Sequence, residues 1–258
     1  MRKLAKITGI AYICGSNKQR HAFLHGQEPP LSGFIFNTMI TKRVTFYVDG
    51  FNFYFGLKRT KKADPQWGRF YWIDMVKLLG SFLGEGQELA KVIYFTASPL
   101  SSDKNSRQSA FLNANKLING DRFEIVRGKY LEKHIICPFC KGDIIRPEEK
   151  KTDVNISIRM MADCVQDKTD TIALVSADSD LLPPLEFIQS QYPEKHIKVY
   201  FPPSNYSNDL KDNMLHHRSR PVLMIANPYR FRQAVMPDEV TDGEKRYTIP
   251  EKWKLREG

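Results

Sequence analysis

From Val44 onward the chain alternates two periodicities, and that alternation restricts its fold more than any other feature. Val44-Thr45-Phe46-Tyr47-Val48 is a β-branched and aromatic run that ends at Asp49-Gly50, a strand closed by turn residues. Ile73, Val76, Leu79 and Leu83 then recur at helical spacing. Val92-Ile93-Tyr94-Phe95 is unbroken apolar sequence, as in a strand buried on both faces. Ser109 to Ile118 reads as a helix ending before Gly120, and Phe123-Glu124-Ile125-Val126 as a strand. Val154, Ile158, Met161 and Val165 fall on one helical face. Thr171–Val175 is a strand, Leu181–Gln189 a helix, Ile197–Phe201 a strand and Val222–Ile225 a further short strand.

Strands that alternate with helices predict an α/β fold of three layers, a mostly parallel central sheet with helices on both faces. Ligands of such sheets bind outside the carboxyl ends of the strands. The chain is 41% hydrophobic and 12% aromatic, enough for a core and too much for a disordered polymer. Residues 1–40 differ from the rest, with scattered Gly, Ser, Asn and Pro and no sustained period. They read as a poorly structured extension, or as sequence ahead of a true start at Met39. The expected organisation is therefore this extension, a domain over 41–227 with a Cys-x-x-Cys insertion near 134–143, and a tail over 228–258 anchored by Trp253.

Localisation is expected to be cytoplasmic. No apolar run reaches the roughly 18 residues a membrane span needs. Ile7–Ile13 follows a basic start like a signal peptide, but Lys18 and Arg20 come where cleavage should, with no small-x-small site. Cys14, Cys137, Cys140 and Cys164 make no disulfide framework and fit a reducing compartment.

The polar residues gather at the predicted carboxyl edge. Asp49 follows the first strand, in Asp49-Gly50-Phe51-Asn52. Asp178 and Asp180 follow Thr171–Val175, in Ser176-Ala177-Asp178-Ser179-Asp180, and Asp153 opens the helix after Lys150-Lys151-Thr152. Singly, each Asp has an ordinary explanation: a helix cap, a turn, or a partner for the helix dipole. Together, carboxylates from three loops converging on one edge repel each other unless a cation intervenes. Mg²⁺ or Mn²⁺ accepts such an all-oxygen shell. Asn52 offers an amide, and Ser176 and Ser179 can orient carboxylates or touch phosphate.

The segments Phe46–Asn52, Lys150–Val154 and Leu174–Asp180, in this order, resemble those of the NYN (DUF88, LabA-like) family. The resemblance covers Thr41 to Ile225; Ala177 stands where many members have Gly, and Leu181-Leu182 where an aromatic often follows. It implies a PIN-like fold and a ribonuclease using Mg²⁺ or Mn²⁺, with Asp49, Asp153, Asp178 and Asp180 as metal ligands and catalytic groups. Asn52, Lys150, Lys151, Ser176 and Ser179 would meet the substrate, a single-stranded RNA. Some bacterial members it resembles are named 6-hydroxy-3-succinoylpyridine hydroxylase, an NADH-dependent monooxygenase of nicotine degradation, which sets an alternative. A non-catalytic RNA-binding module is the second alternative.

Other features bear on these readings. His134, Cys137 and Cys140, in His-x-x-Cys-Pro-Phe-Cys-Lys-Gly, look like half of a zinc ribbon, with Asp143 or a partner subunit to complete it; an ordinary hairpin bearing a reduced pair is the plainer alternative. A homo-oligomer is compatible with that incomplete set. The 39 Lys and Arg outnumber 29 Asp and Glu, a net charge of +10 that attracts polyanions. Lys58, Arg59, Lys61 and Lys62, near Trp67, Phe70, Tyr71 and Trp72, suit single-stranded nucleic acid or simply edge an aromatic core. Gly84-Glu85-Gly86 lacks the third glycine of a dinucleotide loop. No Gly-x-Ser-x-Gly turn is present, and Cys164, in mid-helix, reads as a neutral thiol rather than a nucleophile.

Overall fold

The computed structural model describes residues 41–254 apart from Cys137 and Lys141, and only the backbone of 129–135 and 144–150. The chain runs through β1 (Lys42–Asp49), α1 (Gly50–Ala63), a 3-10 segment (Pro65–Tyr71), α2 (Met75–Gly80), β2 (Gln87–Thr96), α3 (Ser102–Asn119) and β3 (Phe123–Arg127). It continues through β4 (Lys129–Ile136), β5 (Asp143–Lys150), α4 (Thr152–Val165), β6 (Thr171–Val175), α5 (Leu182–Gln191), β7 (His196–Phe201), α6 (Asn208–His216) and β8 (Val222–Leu223). After β8 come a 3-10 turn (Met224–Ala226), α7 (Pro228–Gln233), β9 (Glu239–Thr241) and β10 (Arg246–Thr248).

Six strands form one parallel sheet in the order β3-β2-β1-β6-β7-β8. The two remaining pairs, β4-β5 and β9-β10, are separate antiparallel ribbons. Alternate residues of the central strands enter two different cores, as period-2 geometry requires. Phe46, Val48, Ala173 and Val175 join the residues of α1, α2 and α3 on one face. Tyr47, Ile172, Leu174 and Val199 join those of α4, α5 and α6 on the other. The protein is therefore a three-layer α/β domain with a parallel sheet between helical layers. Trp253, beyond β10, packs its ring 5.6 Å from Tyr71, and the Trp72 indole donates to the Pro237 carbonyl at 2.7 Å.

Several elements depart from the sequence-based expectation. The first is α1, which has no clean apolar period. Its buried residues are Gly50, Phe53, Gly56, Leu57 and Thr60, properly spaced for one face, but three of the five are not hydrophobic. The glycines are there for closeness. A Cβ on Gly50 would lie 2.3 Å from the Tyr94 ring and 2.7 Å from the Phe95 carbonyl, and one on Gly56 would lie 2.4 Å from the Pro203 carbonyl.

The second is the orientation of α4. An apolar stripe at helical spacing ordinarily packs inward. Val154, Ile158 and Val165 are instead 57%, 57% and 67% exposed, Met161 of the same stripe is partly buried against the core, and Ile156, Met160 and Cys164 face the sheet. The buried face also carries Asp163, which accepts from the Tyr47 hydroxyl at 2.9 Å and from Arg159 Nε at 3.0 Å. A buried carboxylate on the inner face is what hides that face from a hydrophobicity reading. The third is α3, which starts seven residues before Ser109 because its first turns are polar and exposed. The expected strand at Val222–Ile225 is shorter, giving way to the 3-10 turn at Met224.

No helix among the described residues is long and apolar enough to cross a membrane.

Candidate functional site

The strand order reverses direction between β1 and β6. From β1 the chain moves outward to β2 and β3; from β6 it moves the other way, to β7 and β8. Such a switch point opens a crevice at the carboxyl ends of the two strands. Val48 pairs with Val175, so Asp49 and Ser176 leave the sheet side by side.

Asp49 is 4% exposed and held from two directions. Its Oδ1 accepts the Asn52 backbone N–H at 2.9 Å, which caps α1, and its Oδ2 accepts the Ser176 hydroxyl at 2.9 Å. The Ser176 oxygen accepts in turn from the Asp178 backbone N–H at 3.1 Å. Asp178 then accepts from the Asp180 backbone N–H at 3.0 Å, capping the short 3-10 turn Ser179–Leu181. These caps leave the carboxylates ordered, because each oxygen has a second lone pair for a further partner. Asp153 arrives from the other side, in the first turn of α4, and Lys151, the residue before that helix, adopts a left-handed conformation with φ of 76°.

The result is a triad. Asp49, Asp153 and Asp178 each present a carboxylate oxygen within 4.8 Å of the other two. Burial raises the Asp153 carboxyl above its ordinary range, and the charges of Asp178 and Asp180 raise it further. The site is thus short of positive charge. Two oxygens bound to one hard cation at about 2.1–2.5 Å lie no more than about 4–5 Å apart, so the triad has the spacing and the all-oxygen character for a divalent ion. Asp180 stands outside this group, exposed to solvent, yet close enough that its charge acts on Asp153.

The other expected site residues separate into several environments. Ser176 is fully buried and links two carboxylates from inside the protein, whereas Ser179 and Lys151 are exposed. Asn52 is half-buried, and its side-chain and backbone oxygens accept from the Asn205 amide, which itself accepts from Arg59. Asn205 has no sequence signature; it reaches α1 from the loop after β7, a contact that only the fold creates. The Lys150 and His134 side chains and all of Cys137 lie outside the described residues. Cys140 is exposed and unpaired, and burial pushes the Cys164 thiol up to about 11, an inert group. Trp67, Phe70 and Trp72 are buried, with Trp67 and Phe70 packed on Phe231, so they are core and not an exposed stacking surface.

Comparison with known proteins bears on the same residues. The chain is 26% identical to 6-hydroxy-3-succinoylpyridine 3-monooxygenase from Pseudomonas putida; the match takes in 67% of this chain and 64% of that protein, less than two thirds of its length. It also matches a solved structure of a Vibrio parahaemolyticus protein of unknown function, 20% identical, with a TM-score of 0.44, over 67% of this chain and 89% of that one. The NYN domain model matches residues 43–217, the segment that carries all three clustered carboxylates and both strands of the switch point, and the chain belongs to the NYN domain family.

Proposed function

We propose that this protein is a metal-dependent ribonuclease acting at the triad of Asp49, Asp153 and Asp178. The observation that carries this reading is the convergence of three carboxylate oxygens within 4.8 Å at the switch point of an NYN domain, a family made up largely of nucleases. A Mg²⁺ or Mn²⁺ ion held there would supply charge against the phosphodiester and make a water more acidic.

The chain's own groups would do the rest. Ser176 and the Asn52 backbone N–H hold Asp49 in one orientation, which is the order a ligand set needs. Asn205 holds the Asn52 side chain, three residues after Asp49, and that amide would meet phosphate or water. Lys151, exposed at the start of α4, stands near enough in sequence to Asp153 to approach an anionic backbone. The net charge of +10 would draw single-stranded RNA toward a site that is itself acidic.

The Pseudomonas relative supports a second reading, an NADH-dependent hydroxylation of a pyridine acid in the same crevice. One experiment separates the two. Labelled single-stranded RNA is incubated with wild type and Asp178→Asn in Mn²⁺, and NADH consumption is followed in parallel with 6-hydroxy-3-succinoylpyridine. Cleavage that is lost with EDTA and with Asp178→Asn supports the nuclease. NADH consumption without cleavage supports the hydroxylase, and RNA binding without either reaction supports a binding module.

A further inference from the structure

A cleft of about 520 Å³ opens at the carboxyl edge of the sheet, between α1, the end of β2 and α3. Gly50 and Phe51, the two residues after Asp49, form part of its wall, as does Thr96 at the end of β2. Gly50 is the chain neighbour of Asp49, so the cleft and the triad share the loop that follows β1. None of the nuclease residues named above accounts for this space.

Three properties define what would fit. The first is aromatic walls. Phe51, Tyr54, Tyr71 and Trp253 line the cleft, and Phe51 is 42% exposed although its ring packs only 4.4 Å from that of Phe55. An exposed ring in a concave site is a surface on which another planar ring can stack. Burial pushes the Tyr71 phenol up to about 12, so this wall is neutral at ordinary pH.

The second is charge. Lys104 and Arg107, both on α3, are the charged residues of the lining, and no acidic side chain lies among the described residues that form it. Arg107 shares its charge with Asp103 at 3.2 Å, while Lys104 is exposed. The cleft is thus positive, where the triad is negative.

The third is an orphaned acceptor. Gln108 Nε2 donates to Thr96 Oγ1 at 2.8 Å and to the Ala97 carbonyl at 3.3 Å. A carbonyl only accepts, which fixes the orientation of the amide. Gln108 Oε1 is then buried with no hydrogen-bond partner. A buried acceptor without a donor is unfavourable, and a ligand N–H would satisfy it.

A planar ring, an N–H on its edge and an attached anion describe a nucleotide. We propose that this cleft is a nucleobase subsite, with the base stacked on Phe51, an edge N–H directed to Gln108, and a phosphate toward Lys104 and Arg107. The proposal rests on the nuclease reading for its biological substrate. A small hydroxypyridine acid shares the ring and the anion, so the test includes one.

The test uses the full chain carrying Asp178→Asn, in EDTA so that nothing is cleaved. Binding of a fluorescein-labelled oligoadenylate is followed by anisotropy and competed with AMP, ribose 5-phosphate and 6-hydroxynicotinate. AMP is expected to compete at least tenfold better than ribose 5-phosphate, because stacking one base accounts for about that factor. Adding Phe51→Ala or Lys104→Glu, both at exposed positions, should weaken AMP about tenfold while leaving the melting temperature within a degree or two of the parent. Equal competition by AMP and ribose 5-phosphate, or AMP binding that ignores both substitutions, overturns the subsite. So does 6-hydroxynicotinate outcompeting AMP with the same sensitivity to Phe51, which assigns the cleft to small aromatic acids. Wild-type cleavage in Mn²⁺, measured separately, reports on the nuclease reading whichever way the competition falls.

Discussion

The Ser176 hydroxyl donates to Oδ2 of Asp49 at 2.9 Å, from a residue 127 positions away in sequence. The bond crosses the β1-β6 seam at the point where the sheet's connections diverge, and it ties the first carboxylate of the triad to the loop that bears the third. Ser176→Ala removes a donor from a buried carboxylate, which costs about 1–3 kcal/mol. It should also weaken Mn²⁺ binding about 10- to 100-fold, the usual effect of losing a group that orients a ligand. Calorimetric titration with Mn²⁺ checks this. Unchanged affinity would mean that Ser176 only fills space.

Asp153 sits at a helix N-terminus, where a negative charge is ordinarily welcome. Its carboxyl is nevertheless raised, by burial first and by Asp178 and Asp180 second, so those costs outweigh the dipole. The sign follows. Ionised Asp153 destabilises the metal-free fold, and that cost is absent at low pH and grows as pH rises through its raised pKa. Asp153→Asn should therefore raise the melting temperature of the EDTA-treated protein at pH 7 and have little effect at pH 3. Mn²⁺ should stabilise the wild type more than the variant. A variant that melts lower than the wild type in EDTA at pH 7 contradicts the repulsion argument.

Much of the architecture was legible because the central strands are buried on both faces. Val92–Phe95 and Ile172–Val175 are buried at every position and hydrophobic throughout. Carboxylates just after such strands must lie at their carboxyl edge, so Asp49 and Asp178 could be placed before any coordinates. The sequence could not reveal α1, whose contact face uses glycines where the backbone of another element comes close. Nor could it reveal Asn205, whose partner Asn52 is 153 residues away, or that Asp180 is exposed beside the three clustered oxygens, with its charge acting on Asp153. These relationships are tertiary and have no periodic trace.

Arg43 grips Asp170 with Nε at 3.0 Å, Nη2 at 2.7 Å and its backbone N–H at 2.8 Å. The guanidinium hydrogen bonds, opposed by partial burial and aided by the backbone bond and the charge itself, hold the Asp170 carboxyl at about 2. A depressed carboxyl contributes stability that is fully present above its unfolded value near 4 and is lost as pH falls through about 2. Both side chains are about a third exposed, which limits the contribution to about 1 kcal/mol. Arg43→Met should therefore be less stable by about that amount in urea at pH 7, with the gap closing toward pH 2. A gap of equal size at both pH values would assign the loss to packing of the arginine stem.

The two faces of α4 provide the sharpest test of the packing. Ile156 is fully buried against the sheet, and Ile158, two residues on, is 57% exposed. Truncating the first opens a cavity, so Ile156→Ala should cost about 2–5 kcal/mol. Ile158→Lys places a charge where water already reaches, and lysine has a slightly better helix propensity than isoleucine, so the change should stay within about 0.5 kcal/mol. Paired urea melts of the two variants measure both effects. A helix that buried Val154, Ile158 and Val165, as its apolar spacing alone would dictate, gives the opposite ranking, because a lysine among those side chains would be an unpaired buried charge.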